Sequence, residues 1–174
     1  MCIMILQHEK HQIGSGNRQI YGILFDSAWL WEEYIATLLP QFIHPKNKEK
    51  MGGISIFSDR TRIVYPDFYD ENNGMILDAK YKRLESTGKG IAREDLYQII
   101  SYLHILNAKR TGLIYPATEN SNSDNRRIGS LSGCGGEVFK FPVMIPQITC
   151  SYDDFVVQMK TNELEFVAEI KSYT

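Results

Sequence analysis

The sequence predicts an α/β fold: a mixed β-sheet flanked by helices, in the order α-β-β-β-α-β-β-α. Two stretches, residues 26–39 and 92–108, carry apolar residues at three- and four-residue steps, the spacing of a half-buried helix. Between and after them lie short runs rich in Ile, Val, Phe and Tyr, bounded by Gly, Pro and Asn, as strands are. A third helical stretch closes the chain. With 174 residues, one domain with a sizeable core is expected. Residues 1–20 read as an extension, strand plus loop, and residues 21–174 as the domain proper.

Taken in order, residues 1–20 hold a short apolar run and then "QHEKHQIGSGNRQ", which reads as a loop. Asp26 or Ser27 can cap the first helix, where Ala28, Trp31, Ile35, Leu38 and Leu39 form the apolar stripe and Pro40 ends it. "HPKNKEKMGG" is a basic connector. "ISIF", "RIVYPDFY" and "GMILDAKYKRL" are expected as three strands, followed by the loop "STGKG". The second helix buries Leu96, Ile99, Ile100, Leu103 and Leu106. "TGLIYP" reads as a buried strand stopped by Pro116, residues 117–136 as an exposed loop, and "EVFKFPV" as a strand. The closing helix from Tyr152 is expected to break near Thr161 and Asn162.

Composition excludes several classes. The net charge of −2 rules out a basic protein that coats nucleic acid by bulk electrostatics, so phosphate binding needs a local patch. Cys2, Cys134 and Cys150 are odd in number and widely spaced, forming neither a zinc motif nor a disulfide framework. The apolar runs are too short for a membrane span, and "MCIMIL" is too short for a signal-peptide core. A soluble protein of the cytoplasm is expected. His8, His11, His44 and His104 show no metal-ligand spacing and read as structural.

The stretch "YPDFYDENNGMILDAKYK", residues 65–82, carries the chemistry. Side chains two apart on a strand share a face, which puts Asp78 beside Lys80. A tight turn at Asn72-Asn73 sets Asp67 opposite Asp78; one at Asn73-Gly74 sets it opposite Lys80. Both registers keep all three on one face. Neighbouring carboxylates repel unless a positive charge lies between them, and a divalent cation is the natural candidate. The plain alternative is an ion pair on a solvated sheet face.

"PD" at 66–67 followed by "DAK" at 78–80 resembles the PD-(D/E)XK nuclease signature. The blocks "FDSAWLWEEYIATLL", "YPDF", "ILDAKYK", "DLYQIISYLHIL" and "GLIYP" are similar, in order, to the nuclease domain of McrC. McrC is the cleavage subunit of a methylcytosine-dependent restriction system. The resemblance spans residues 20–116 and, more loosely, the rest. It implies a restriction-endonuclease-like fold and Mg²⁺-dependent cleavage of double-stranded DNA, with Mn²⁺ able to substitute. Asp67 and Asp78 become metal ligands, the Ala79 carbonyl a further ligand, and Lys80 the catalytic lysine. A helix glutamate often stands beside such a metal; Glu32 lies on the inward stripe and Glu33 tends outward. Gln98, in the "DLYQ" block, is placed near the attacking water or a phosphate.

The family also implies a McrB-like GTPase subunit as partner. McrC carries a long N-terminal region that engages it, whereas here the blocks start near residue 20. An excised domain or a stand-alone relative is therefore expected, with a homodimer through "MCIMIL" as one way to assemble. Candidate phosphate contacts are Lys46, Lys48, Lys50, Lys82, Arg83, Lys89 and Arg93, with Arg126 and Arg127 weaker. Tyr97 and Tyr102 read as core or rim aromatics and Tyr81 as packing. The alternative function is a catalytically inactive DNA-binding or assembly subunit that keeps the fold. A carboxylate-pair glycosidase ranks last, because Lys80 has no part in that mechanism.

Overall fold

The computed structural model describes residues 11–13, 20–22, 26–46, 49–82, 91–118, 126–133 and 135–174. Three helices and nine strands are present among them: β1 (His11–Ile13), β2 (Ile20–Gly22), α1 (Ser27–Leu38), β3 (Ile54–Ser55), β4 (Ile63–Val64), β5 (Phe68–Asp70), β6 (Met75–Ala79), α2 (Arg93–Ile105), β7 (Arg110–Ala117), β8 (Arg127–Ser130), β9 (Glu137–Met144) and α3 (Tyr152–Ser172). The main sheet has the order β5-β6-β7-β9-β8. β6, β7 and β9 run parallel, and β5 and β8 pair antiparallel at the two edges. β1 with β2, and β3 with β4, form two separate antiparallel pairs.

Alternation along the parallel strands sorts the core into two layers. Met75, Leu77, Ile114, Phe139, Phe141 and Val143 pack with Trp31 and Ile35 of α1 and Phe166 and Ile170 of α3. Ile76, Leu113, Tyr115 and Val138 face the other way and meet Ile99 and Tyr102 of α2. The strands buried on both faces are continuous apolar runs, as parallel sheets require. Gly112 is needed where it stands, because a Cβ there would come 2.7 Å from the Phe141 ring.

Several expectations are corrected. His11–Ile13 is a strand paired with Ile20–Gly22, where a loop was expected for the first of them. "RIVYPDFY" is two strands, because Pro66 and Asp67 break the pairing between β4 and β5. Pro116 does not stop β7, which runs on to Ala117; its missing N–H matters only on the β6 side. The polar stretch 117–136 contains β8, an edge strand whose exposed side chains hid its pairing with β9. The closing helix is unbroken through Thr161 and Asn162, since Asn162 donates its amide to the Met144 carbonyl rather than capping the helix.

The turn after β5 was legible only in part. Asp70 organises it: Oδ1 accepts the Asn72 and Asn73 N–H groups and Oδ2 accepts the Asn73 amide. Gly74, at φ +63°, closes it in the left-handed region that glycine tolerates. The register that results pairs Phe68 with Leu77 and Asp70 with Met75. It extends to Asp67 opposite Asp78, the first of the two registers open to the sequence.

Candidate active site

The sheet brings Asp78, Ala79 and Lys80 to the carboxyl end of β6, with Asp67 just ahead of β5 on the same face. Ligand and catalytic groups of open α/β sheets gather at such strand ends. Asp78 is 1% exposed. Lys80 Nζ lies 2.7 Å from Asp78 Oδ2, an ion pair with the carboxylate buried. Lys80 also donates to Gln98 Oε1 at 3.0 Å, and Gln98 Nε2 donates to the Tyr102 hydroxyl at 3.1 Å.

Asp67 is held by the neighbouring strand. Its Oδ2 accepts the Ala79 N–H at 2.7 Å. In this register the residue across from Ala79 is Pro66, which has no N–H. The Ala79 carbonyl therefore lacks the ladder donor that any other residue at position 66 would carry. Pro116 acts alike on the other side: the Lys80 N–H bonds the Ile114 carbonyl, but the next rung would need an N–H from residue 116. The Lys80 carbonyl accepts from Lys82 N–H instead, which turns the chain out of the sheet.

The charges form a coupled set. Burial, then Asp78, then Glu32 push Asp67 well above the ordinary carboxylate range. Burial also raises Asp78, against the opposing pull of Lys80. Burial disfavours the Lys80 ammonium, yet Asp78, Asp67 and Asp95 more than offset it and raise its pKa, so it stays protonated. Glu32 reaches the site from α1, half-buried, and burial followed by Asp78 raises it too.

Glu33 takes another role. Despite some desolvation it is held low by Lys46, whose Nζ lies 2.6 and 2.8 Å from its two oxygens. Lys46 is thus committed to an ion pair, as are Lys82 with Asp95 (2.5 Å), Arg126 with Glu169 (2.7 Å) and Arg127 with Glu137 (2.8 Å). Of the expected phosphate contacts, Lys50 and Arg93 are exposed, and Lys48, Arg83 and Lys89 lie outside the described residues. So does "MCIMIL". Tyr81 is 55% exposed beside Trp31 rather than packed in the core.

His44, expected to be structural, is a structural brace beside the site. Its Nδ1 lies 2.6 Å from the Asp67 carbonyl, so the proton sits on Nδ1, and the ring stacks on Phe68 at 4.8 Å. It braces the backbone that carries Asp67. Only its position in the connector before the acidic hairpin could have pointed to it. Asp95, buried beside Lys82, was missed because it looks like an ordinary acidic residue in the first turn of a helix.

Among the described residues, no three His, Cys, Asp or Glu side chains converge as a metal-holding group. The donor set is narrower: the repelling carboxylates of Asp67 and Asp78, and the Ala79 carbonyl that Pro66 deprives of a ladder donor. Those hard oxygens suit Mg²⁺, which keeps several waters and uses few protein ligands.

Fold and site together define an α/β domain of nuclease-like architecture with an acidic pair and a lysine at the end of its central strand. The profile of the family described as McrBC 5-methylcytosine restriction system component matches residues 1–116, two thirds of the chain, and the chain belongs to that family. A solved structure agrees on the fold. It is a chain of the refined half-complex from a tetradecameric assembly of Thermococcus gammatolerans McrB AAA+ hexamers with bound McrC, with TM-score 0.54 and 17% identity. The match covers 86% of this chain and 34% of that one, so the chain spans about a third of its length. No curated protein matches. No helix among the described residues is long and apolar enough to cross a membrane.

Proposed function

We propose that this chain is a restriction-type, metal-dependent endonuclease domain that hydrolyses phosphodiester bonds in double-stranded DNA. One observation carries the reading: Asp78 and Lys80 form a buried ion pair at the strand end where the Ala79 N–H holds Asp67. A retired site has no physical reason to keep charges buried there. Mg²⁺, or Mn²⁺ in its place, held by Asp67, Asp78, the Ala79 carbonyl and Glu32, would polarise the phosphate and acidify a bound water.

The residues divide the remaining work. Lys80, kept protonated, stabilises negative charge growing on the phosphate oxygens. Gln98 fixes the Lys80 ammonium and is itself fixed by Tyr102. Glu32, half-buried on α1 beside Asp78, completes the acidic side of the metal position. A McrB-like GTPase is the partner that the McrB–McrC neighbour supports.

The second reading, an inactive assembly or DNA-binding subunit, is favoured by the lack of three converging acidic ligands. One experiment separates the two. Supercoiled plasmid is incubated with the purified chain and Mg²⁺, Mn²⁺ or EDTA, with and without a McrB-like subunit. Metal-dependent cleavage lost in Lys80→Ala supports the nuclease. Intact plasmid in every arm, with DNA still bound, supports the inactive subunit.

A further inference from the structure

The β3–β4 hairpin stands at the same end of the sheet as Asp67. Its second strand ends at Val64, three residues before Asp67, and Ile54 pairs with Val64 across it. Both pack on the buried cluster of Tyr69, Ile76 and Tyr102, and the Tyr102 hydroxyl accepts from Gln98, the partner of Lys80. A two-stranded ribbon is marginal in water by itself, so this anchorage holds the base. The tip carries its own bonds. The Ser55 hydroxyl donates to the Phe57 and Thr61 carbonyls, and the Ile56 N–H donates to the Arg62 carbonyl. Asp59 Oδ1 accepts both the N–H and the hydroxyl of Thr61, at 3.0 and 2.7 Å.

Two features of this hairpin call for a partner. Among the described residues, four non-glycine positions have left-handed backbone, and three are cations in or just before it: Lys50 at φ +53°, Arg60 at +63° and Arg62 at +55°. That conformation is strained for a residue with a Cβ, and such strain gathers where a side chain is used. All three are exposed, and none forms an ion pair among the described residues, unlike Lys46, Lys82, Arg126 and Arg127. Lys50 to Val64 holds three cations and one carboxylate, in a chain whose net charge is −2. The second feature is apolar: Ile56, Phe57 and Ile63 are all exposed around the two arginines. A nucleic-acid backbone, with its phosphates joined by sugars, is complementary to both.

We propose that the β3–β4 hairpin is an arm that holds duplex DNA beside the candidate active site, with Arg60, Arg62 and Lys50 on its phosphates. The proposal rests on the nuclease reading, because a phosphate at Asp67 and Lys80 sets where the duplex runs. Five residues span at most about 17 Å, so Arg62 lies within about five nucleotides of that phosphate along one strand. The arginine fork suits phosphate oxygens, and a two-stranded ribbon is narrow enough to enter the major groove. Phe57 and Ile56 then rest on sugars and groove wall. Contacts of this kind position the duplex without reading its sequence. A protein partner would need carboxylates matched to all three cations, whereas DNA brings a negative charge about every 1.7 Å.

Binding to a short labelled duplex is measured by fluorescence anisotropy in EDTA, which removes cleavage and competing divalent ions, at about 50 to 200 mM salt. Arg60→Gly with Arg62→Gly removes two charges, and glycine adopts the left-handed turn freely, so the melting temperature should not fall. Each lost phosphate contact lowers the slope of log K against log salt by about 0.9. The glycine variant should therefore be shallower by about 1.8 and bind about 60-fold more weakly at 0.1 M salt. Arg60→Lys with Arg62→Lys should keep the slope. Phe57→Ala should weaken binding equally at every salt concentration. No duplex binding by the parent, a parental slope in the glycine variant, or a lost slope in the lysine variant would overturn the proposal. So would glycine and Phe57→Ala variants that bind DNA as the parent does but no longer bind a McrB-like subunit, which would make the hairpin a protein-docking arm. Plasmid cleavage with Mg²⁺ keeps the two readings apart. A parent that binds through the hairpin and never cuts refutes the nuclease alone; one that cuts, with a parental slope in the glycine variant, refutes the arm alone.

Discussion

Asp67 Oδ2 and the Ala79 N–H are 2.7 Å apart, so a side chain supplies the acceptor for a backbone group on the neighbouring strand. Asp67→Asn keeps an oxygen in that place and removes a charge that Asp78 and Glu32 repel. It should fold as stably as the parent, or more so. Asp67→Ala leaves the N–H unpaired and should cost about 1–3 kcal/mol. Urea denaturation of the three proteins orders them; Asn and Ala variants of equal stability would show that the hydrogen bond contributes nothing.

The Asp78–Lys80 pair should behave as a unit. On the sequence alone, Asp78→Asn is expected to relieve repulsion and leave the fold intact or more stable. The structure revises that, because the closest charge to Asp78 is Lys80. Breaking a buried pair costs about 3–5 kcal/mol, and replacing both partners costs far less. Lys80→Met should therefore destabilise more than the Asp78→Asn, Lys80→Met double variant. An additive double-mutant cycle would contradict this.

Metal-free protein should lose stability as pH rises. Asp67, Asp78 and Glu32 all have raised folded-state pKa values. Each thus binds its proton more tightly folded than unfolded. Its contribution is complete below the ordinary carboxylate pKa of about 4 and is lost as pH climbs through the raised value. Glu33, held low, runs the other way and loses its contribution only as pH falls. Asp67→Asn should flatten the decline; parallel profiles for parent and variant would count against the coupling.

Divalent metal should reverse that loss. Mn²⁺ at one hundred times its dissociation constant stabilises the folded state by about 2.7 kcal/mol. The effect should grow with pH, since ligand carboxylates must be ionised. Melting curves with and without Mn²⁺ test it, and a shift that survives in Asp78→Asn would place the metal elsewhere.

One site cuts one strand, so a lone chain should convert supercoiled plasmid to the nicked form before the linear one. The time course is read on a gel and the mass by sedimentation. Rapid linearisation by a monomer, with no nicked intermediate, would refute the expectation.

The acidic hairpin was legible because period-two alternation and an Asn-Asn-Gly turn admit only registers that keep Asp67, Asp78 and Lys80 on one face. Glu32 could be preferred over Glu33 because the helical stripe distinguishes inward from outward. The rest failed for physical reasons. β8 has mostly exposed side chains and is held by backbone bonds, which leave little trace in residue type. His44 acts through a ring nitrogen on a backbone carbonyl, a contact no spacing announces. The strand break at Pro66 looked like continuation because Val64, Tyr65 and Phe68 all favour strands.

Pro66 also carries a lesson about how a site is counted. Its role is subtraction: every other amino acid at that position would bring a hydrogen able to occupy the Ala79 oxygen. A search for ligands by side-chain type passes over alanine, and passes over proline as inert. Yet the pair together denies a carbonyl oxygen its ladder donor, at a point where neither residue has a polar side chain. Substituting Ala79 would leave that oxygen in place, whereas substituting Pro66 would bring an N–H to the position across from it. The residue to protect in any redesign of this edge is therefore the one that donates nothing.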